Sequence, residues 1–147
     1  MFDDGSYTAK IDEKSRLRVP AEFRHNLPED SGNVFYVTSI DGKCARVYPW
    51  SVWTGVSQRL HEGAMTPRKL EFLRRTGLYG QKSEMDPQGR ILIKKNLRDK
   101  AGISGEVLVV GMGRFLEVWN SETIQSDVDN GSLSLEDMEE LGKEGIF

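Results

Sequence analysis

The sequence has one cysteine, two histidines and no apolar run of the roughly 20 residues that cross a bilayer. Cys44 alone can form neither an intrachain disulfide nor a cysteine-based zinc cluster, and His25 and His61 have no partner at ligand spacing. Met1–Asp4 does not match a signal-peptide start. No nucleophile–base set or phosphate loop is found. These absences predict a cytoplasmic protein that is not an enzyme, with no catalytic residue, metal, cofactor, membrane contact or small-molecule substrate.

Excess charge of one sign is confined to the C-terminal end of the chain. Residues 1–120 hold 19 Lys and Arg against 15 Asp and Glu, a net charge of +4. Residues 121–147 hold one basic residue against eight acidic ones, a net charge of −7, and together they give the overall −3. The sequence therefore predicts a mildly basic body, which suits a nucleic-acid partner, followed by an acidic tail.

An internal repeat covers most of the body. Residues 11–24 align without a gap on residues 85–98, in a shared frame of an apolar residue, Asp, three residues, Arg, and then alternating apolar positions. Further matches follow between 34–37 and 107–110 and between 46–49 and 117–120, with loops of different length between the blocks. Agreement over four blocks indicates that the chain is a duplication of one small module.

Local signals predict the same elements in both copies. Residues 86–89, Asp-Pro-Gln-Gly, are typical of a turn that closes a β-hairpin, with Gly89 in the left-handed region. A strand follows in which apolar residues alternate with polar or basic ones, then a short helix, two more strands and a terminal helix. Predicted helices run from Pro20 to about Asn26, from Lys95 to Ala101 before Gly102, and onward from Pro49 and from Ser121. Between the copies, a basic helix is predicted from Thr66-Pro67 to Gly77.

The two Asp-x-x-x-Arg segments, Ile11 to Arg24 and Met85 to Arg98, resemble the MraZ family, whose members carry two SpoVT/AbrB-like half-modules in one chain. The resemblance covers about residues 5–125 and includes Val47-Tyr-Pro-Trp and Leu116-Glu-Val-Trp. It implies a mainly β fold with short helices (α+β), closed as a double-split β-barrel. It also implies ring-shaped homo-oligomers that bind short direct repeats of double-stranded DNA upstream of a cell-division and cell-wall gene cluster. Ser15 departs from the family pattern, which has Gly there.

These patterns divide the chain into four parts. Residues 5–53 form the first SpoVT/AbrB-like half, and residues 54–78 form a linking helical segment. Residues 79–125 form the second half, and residues 126–147 form the acidic tail.

Asp12 and Asp86, together with Gly89, are interpreted as a structural motif. Their carboxylates suit hydrogen bonds to turn amides and pairing with Arg16 or Arg90. A catalytic carboxylate pair is the alternative, but no partner base or nucleophile accompanies it. Turn chemistry is therefore the preferred interpretation.

Four basic residues within nine positions, opposite an apolar strand face, predict the main DNA-binding surface. Arginine can bond guanine or phosphate through two parallel hydrogen bonds. The alternative for these positions is an ordinary solvated strand face. A weaker second surface includes Arg90, which is also expected to pair with Asp86 or Asp12 and support the fold, whereas loss of Arg16 is expected to cost the fold little. The predicted DNA-binding residues are Lys10, Lys14, Arg16, Arg18, Arg90 and Lys94.

The sequence thus predicts a nucleoid-associated, DNA-binding transcriptional regulator that acts as a closed homo-oligomer. Two alternatives stay open. One is an AbrB-fold antitoxin whose acidic tail binds a toxin. The other is a structural or assembly protein whose ring is the functional feature and whose DNA contact is incidental.

Overall fold

The two copies of the repeat interleave instead of folding side by side. A computed structural model describes residues 1–146, which form eight strands and six α-helices. The first copy supplies β1 (Gly5–Lys10), β2 (Arg16–Arg18), α1 (Ala21–Arg24), β3 (Val34–Thr38), β4 (Ala45–Pro49) and α2 (Trp50–His61). The second supplies β5 (Gln81–Glu84), β6 (Arg90–Leu92), α4 (Lys95–Ala101), β7 (Glu106–Gly111), β8 (Leu116–Asn120) and α5 (Ser121–Asp129). Helix α3 (Pro67–Leu78) links the copies, and α6 (Leu135–Lys143) follows α5.

The strand order has an approximate two-fold symmetry. Six strands form one sheet in the order β1-β7-β8-β4-β3-β5, and β2 and β6 form a separate antiparallel pair. The repeat equivalents in this sheet are β1 and β5, β3 and β7, and β4 and β8. When each strand is replaced by its equivalent, the same sheet is obtained with its strand order read from the other end. The first strand of each copy thereby pairs with a strand of the other copy, β1 with β7 and β5 with β3. Each half therefore depends on the other for its edge hydrogen bonds.

The core lies where β2 and β6 face the large sheet. Leu17 and Val19 on one strand segment, and Ile91 and Ile93 on the other, are at most 1% exposed. Phe23 of α1, which follows the first segment, is also fully buried. The alternation of apolar and polar residues predicted from the sequence is confirmed, because the arginines at positions between these apolar residues are half-buried or exposed. Burying one face of each short strand joins the two copies through a single core.

Most of the predicted elements are confirmed. Helix α4 ends at Ala101, and Gly102 follows in the left-handed conformation (φ 64°). Helix α3 begins at Pro67 with Thr66 as its N-cap, as predicted, but it ends at Leu78 and carries Gly77 inside its last turn. The fold is α+β, with every strand pairing antiparallel. Within residues 1–146, no helix combines the length and apolar character needed to cross a membrane.

The C-terminal region is helical on both sides of residue 126. Helix α5 begins with Asn120 as its N-cap and runs through Asp129, so the expected tail boundary falls within this helix. The Asp127 carboxylate lies 3.4 Å from the Lys43 ammonium group, which ties α5 to the β3–β4 loop. Residues 131–140 are all exposed. Residues 131–140 therefore bury little surface against the body of the protein.

Candidate nucleic-acid interface

Asp12 organises the turn between β1 and β2. Its Oδ1 accepts hydrogen bonds from the backbone N–H groups of Lys14 (2.9 Å) and Arg16 (3.0 Å). The Ser15 N–H donates to the Asp12 carbonyl at 3.0 Å, and Ser15 adopts a positive φ of 68°. One side chain thus satisfies the amides of a tight turn and fixes the start of β2.

Asp86 repeats this arrangement before β6. Its Oδ1 accepts from the N–H groups of Gln88 and Arg90, both at 2.9 Å, and Gly89 takes a φ of 79°. Because the two turns match bond for bond, serine in place of glycine at position 15 does not change the turn geometry. The two carboxylates thus hold equivalent places in the two turns.

Each turn is also held by the opposite copy. The Val19 N–H donates to the Gly89 carbonyl at 2.9 Å, and the Ile93 N–H donates to the Ser15 carbonyl at 3.5 Å. Strand β2 pairs with β6 through the register Leu17 to Ile91. The two turns therefore lie next to each other on one face of the protein, although they are distant in the sequence.

The four charged residues of the two turns form one cluster. Arg16 donates from Nε to Asp12 Oδ2 at 2.9 Å, and Arg90 donates from Nε to Asp86 Oδ2 at 2.7 Å. Each arginine also approaches the aspartate of the other copy, with Arg16 Nη1 to Asp86 Oδ2 and Arg90 Nη1 to Asp12 Oδ2 both at 3.7 Å. Their side chains are 26–31% exposed. Two guanidinium groups are thereby held in fixed orientation at the protein surface.

Hydrogen bonding keeps both carboxylates ionised. Backbone and side-chain hydrogen bonds from Arg16 hold the pKa of Asp12 below its ordinary value, against a smaller opposing effect of burial. Burial acts to raise the pKa of Asp86, but the hydrogen bonds from Arg90 and Gln88 together outweigh it and lower that pKa as well. Two carboxylates and two guanidinium groups leave the cluster without net charge at neutral pH.

Three of the predicted DNA-binding residues surround this cluster as exposed side chains. Lys10 ends β1, Lys14 lies in the turn and Arg18 ends β2. Within residues 1–146, none of the three forms an ion pair with a carboxylate, whereas many other surface cations do. These positive charges are available to a ligand.

Lys94 lies apart from this arrangement. It is half-buried, and its Nζ donates to the Leu78 carbonyl at the end of α3 at 3.1 Å, beside a second donor, the Asn96 amide. These bonds cap the exposed carbonyl end of the linking helix. A helix-capping role accounts for Lys94 more directly than a ligand contact does.

Arg16 and Arg90 have equivalent ion pairs. The sequence analysis allowed either arginine to pair with a turn aspartate, but it expected Arg90 to support the fold more than Arg16 does, because more basic residues precede Arg16. The structure pairs both arginines alike, since the strand pairing of β2 with β6 places both aspartates within reach of both. The difference between the copies lies in the residues around the cluster.

Arg24 belongs to the same surface and was used in the sequence analysis only to align the repeat. It lines a shallow cleft together with Lys10 and Arg18, and its guanidinium group lies directly against Gly89, where a Cβ atom would collide with it. Within residues 1–146 its buried Nε has no hydrogen-bond partner, whereas its repeat equivalent Arg98 donates from Nε to the Ile93 carbonyl at 2.9 Å. The signal in the sequence was a basic residue at a matched position of both copies.

We expect Ser15→Gly to raise the free energy of unfolding by about 0.5–1 kcal/mol. The left-handed conformation costs a residue with a side chain roughly 1–2 kcal/mol, and glycine avoids this cost. Glycine also has more conformational freedom in the unfolded chain, which offsets part of the stabilisation of the folded state. Chemical denaturation of both proteins measures the change. Gly89→Ser is the matched reverse change and should destabilise by more, because Arg24 occupies the space that its side chain needs. Destabilisation by Ser15→Gly would contradict the assigned turn.

Comparisons with known proteins agree with this geometry. A family model described as "MraZ protein, putative antitoxin-like" matches residues 80–140. A protein named Transcriptional regulator MraZ from Acidobacterium capsulatum is 40% identical over 143 residues, covering 97% of this chain and 98% of that protein. The protein of the same name from Koribacter versatilis is 38% identical over 144 residues, with the same coverage. The chain belongs to the MraZ family. The match with relatives includes both halves of the repeat, and a protein of that name from Leuconostoc mesenteroides is 34% identical over 80% of each chain.

Membership of the MraZ family confirms two of the sequence predictions. The resemblance drawn from the two Asp-x-x-x-Arg segments is correct. The family is one of transcriptional regulators, which agrees with the prediction that the chain is not an enzyme.

Proposed function

We propose that this MraZ-family chain is a sequence-specific, DNA-binding transcriptional regulator whose first copy supplies the main DNA surface. One comparison within the molecule carries the proposal. The exposed cations around the cluster, Lys10, Lys14 and Arg18, have as repeat equivalents Glu84, Gln88 and Leu92. The two copies thus share one symmetric cluster, but only the first adds free positive charge to it.

The division of roles follows from electrostatics. Because the four-residue cluster is neutral, attraction to phosphates comes from the three flanking cations, and each such contact releases a counterion from DNA. Arg16 is fixed by Asp12 and so presents its donors without losing side-chain freedom on binding. Donors in such a fixed planar fork suit guanine edges in the major groove. The proposed DNA-binding residues are Lys10, Lys14, Arg16 and Arg18, with Arg90 on the weaker second surface; Lys94 instead caps α3.

The proposal includes the assembly. The surface that carries Lys10, Lys14 and Arg18 is small. Specific binding therefore requires several subunits that bind a series of short direct repeats at the same time. We propose that the subunits form a closed homo-oligomeric ring. Within each subunit, the six-stranded sheet and the β2–β6 pair would together form a double-split β-barrel from the halves 5–53 and 79–125. Exposed edges at β1 and β5 and exposed apolar side chains in the linking segment 54–78 support association.

The target that we propose is repeated DNA upstream of a cell-division and cell-wall gene cluster, which would make the protein cytoplasmic and nucleoid-associated. A fluorescent duplex of that region, and a duplex of equal composition with scrambled repeats, test this directly. Specific binding should be tighter than scrambled binding by about 10³-fold or more. Equal affinity for the two duplexes would contradict sequence-specific binding.

The salt dependence of binding tests the proposed surface. We expect Lys14→Gln to lower the slope of log affinity against log salt concentration by about 0.9 for every subunit that contacts a phosphate through this residue. Lys143→Gln removes the same charge from the exposed C-terminal helix and serves as the matched control. An unchanged slope in Lys14→Gln, or an equal loss in both variants, would show that the turn of the first copy does not contact DNA.

A further inference from the structure

Helix α6 is built to be stable at its start but not along its length. Ser134 and Asp137 form a reciprocal capping box, in which each side chain accepts the backbone N–H of the other residue at 3.0 Å. The helix nevertheless has nine residues, and isolated helices shorter than about 12–15 residues are marginal in water. A capped helix of this length is stable when an apolar face packs against a partner.

Within residues 1–146, the start of the apolar face of α6 is exposed, while Leu141 and Gly142 near its end are half-buried. Leu135 and Met138 are 81% and 41% exposed, and Glu139 and Gly142 continue the same row at helical spacing. Glu139 takes part in no ion pair among residues 1–146, whereas Glu140 on the opposite side pairs with Lys143. The row therefore combines two free apolar side chains with one free carboxylate.

Helix α3 presents a complementary row. Leu70 and Leu78 are 38% and 58% exposed and lie two turns apart, with Arg74 between them. Arg74 forms no ion pair among residues 1–146, while its neighbour Arg75 is bonded to Glu71 and to the Ile40 carbonyl. The net charge of α3 is +3 and that of Leu135–Lys143 is −3. Each helix thus carries two exposed apolar side chains and one unpaired charged residue among residues 1–146, and the two net charges are opposite.

We propose that α6 of one subunit packs on α3 of a second copy of this chain. Leu135 and Met138 would pack on the α3 face that carries Leu70, with Glu139 paired with Arg74. Gly142 would let the two helices approach closely near the end of α6. This contact is a protein–protein interface that does not use the cluster of Asp12 and Arg16.

A second copy of the chain is the partner that we propose for α6, because the exposed rows of α3 and α6 are both uncovered in the same subunit. Helix α5 is anchored to the body by its Asn120 cap and by the pair of Lys43 with Asp127. Residues 130–134 between α5 and α6 span at most about 17 Å when fully extended, so α6 projects from a fixed point beside the β3–β4 loop. An exchange between equivalent subunits satisfies the α3 and α6 rows of every subunit without refolding.

Cross-linking between full-length chains tests this contact. Cys44 is 6% exposed and its burial raises the pKa of its thiol, so an introduced cysteine is the reactive one. A tagged Leu70→Cys chain is mixed with a differently tagged Met138→Cys chain, allowed to exchange subunits, and treated with a short bismaleimide. We expect cross-linked pairs that carry both tags. Glu140→Cys, which points about 200° away from Met138 around α6, should give at least fivefold fewer.

A chain that carries both Leu70→Cys and Met138→Cys distinguishes a contact between two chains from a contact within one chain. Cross-linking within one chain, equal yields from positions 138 and 140, or no cross-link would each overturn the proposal. Arg74→Glu and Glu139→Arg should each weaken self-association about threefold to tenfold, measured by light scattering over a dilution series. The double variant should restore it, and additive losses would count against the assigned pair.

This interface rests on the proposed homo-oligomer, but its failure can be distinguished from failure of the proposed DNA surface. The two surfaces share no residue, so DNA contact is tested by the salt slope of Lys14→Gln and the interface by cross-linking. Loss of cross-linking with the expected decrease of that slope would reject only the interface. An unchanged slope in Lys14→Gln with intact cross-linking would reject only the DNA surface.

Discussion

Arg16→Ala is expected to weaken binding to repeated DNA by about 100-fold or more. Removing one bidentate base contact costs roughly 1–3 kcal/mol, which is roughly 5-fold to 150-fold for a single site. An assembly that engages several repeats loses this contact at each of them, so the effect multiplies. Binding to the repeat duplex in an electrophoretic shift assay at fixed salt measures the loss.

Arg90→Ala is the matched control, because the two arginines occupy equivalent places. Each is bonded to the aspartate of its own turn and lies 3.7 Å from the other aspartate. Both variants should therefore lower the melting temperature by similar amounts, while Arg90→Ala should retain more of its DNA affinity. The reverse order of affinities would assign the main DNA surface to the second copy. Equal losses would show that the cluster acts as one symmetric unit.

Phe23→Ala is expected to lower the free energy of unfolding by about 3–5 kcal/mol. The ring is fully buried and meets Phe2 and Tyr7 edge to face, with centroids 6.0 Å and 5.3 Å away. Its loss leaves a cavity between α1 and β1, and domains of this size are stable by only about 5–15 kcal/mol. Urea denaturation followed by tryptophan fluorescence measures the change.

The neighbouring His25→Ala provides the control for that measurement. His25 is exposed, so its replacement should change stability by no more than about 0.5 kcal/mol. A Phe23→Ala variant as stable as His25→Ala would mean that α1 does not close the core between the copies.

The duplicated sequence was enough to predict the local structure. The frame shared by 11–24 and 85–98 predicted two turns, two short strands and two short helices, because each of these elements depends on residues close in the sequence. Asp12 accepts hydrogen bonds from its own turn, and Gly102 ends the helix that precedes it. Buried apolar residues alternate with half-buried or exposed residues along β2 and β6. The same frame predicted which residue types would surround the turns.

Contacts between distant residues could not be predicted in the same way. Periodicity does not specify that β2 pairs with β6, and without that pairing the approach of Arg16 to Asp86 is not expected. Charge counting alone therefore could not show that both arginines lie close to both aspartates. The tail composition indicated low burial but concealed α6, because its helix depends on a local capping box and its apolar residues are few.

The exchange of strands between the two copies determines how the protein responds to dilution. If the halves were separate chains, the paired turns would exist only above the dissociation constant of a dimer. Residues 54–78 join them covalently, so each half meets the other at an effective concentration in the millimolar range whatever the number of molecules in the cell. The two arginines are consequently assembled even in a single isolated subunit, and dilution can affect the association of subunits but not the geometry of the surface each one carries.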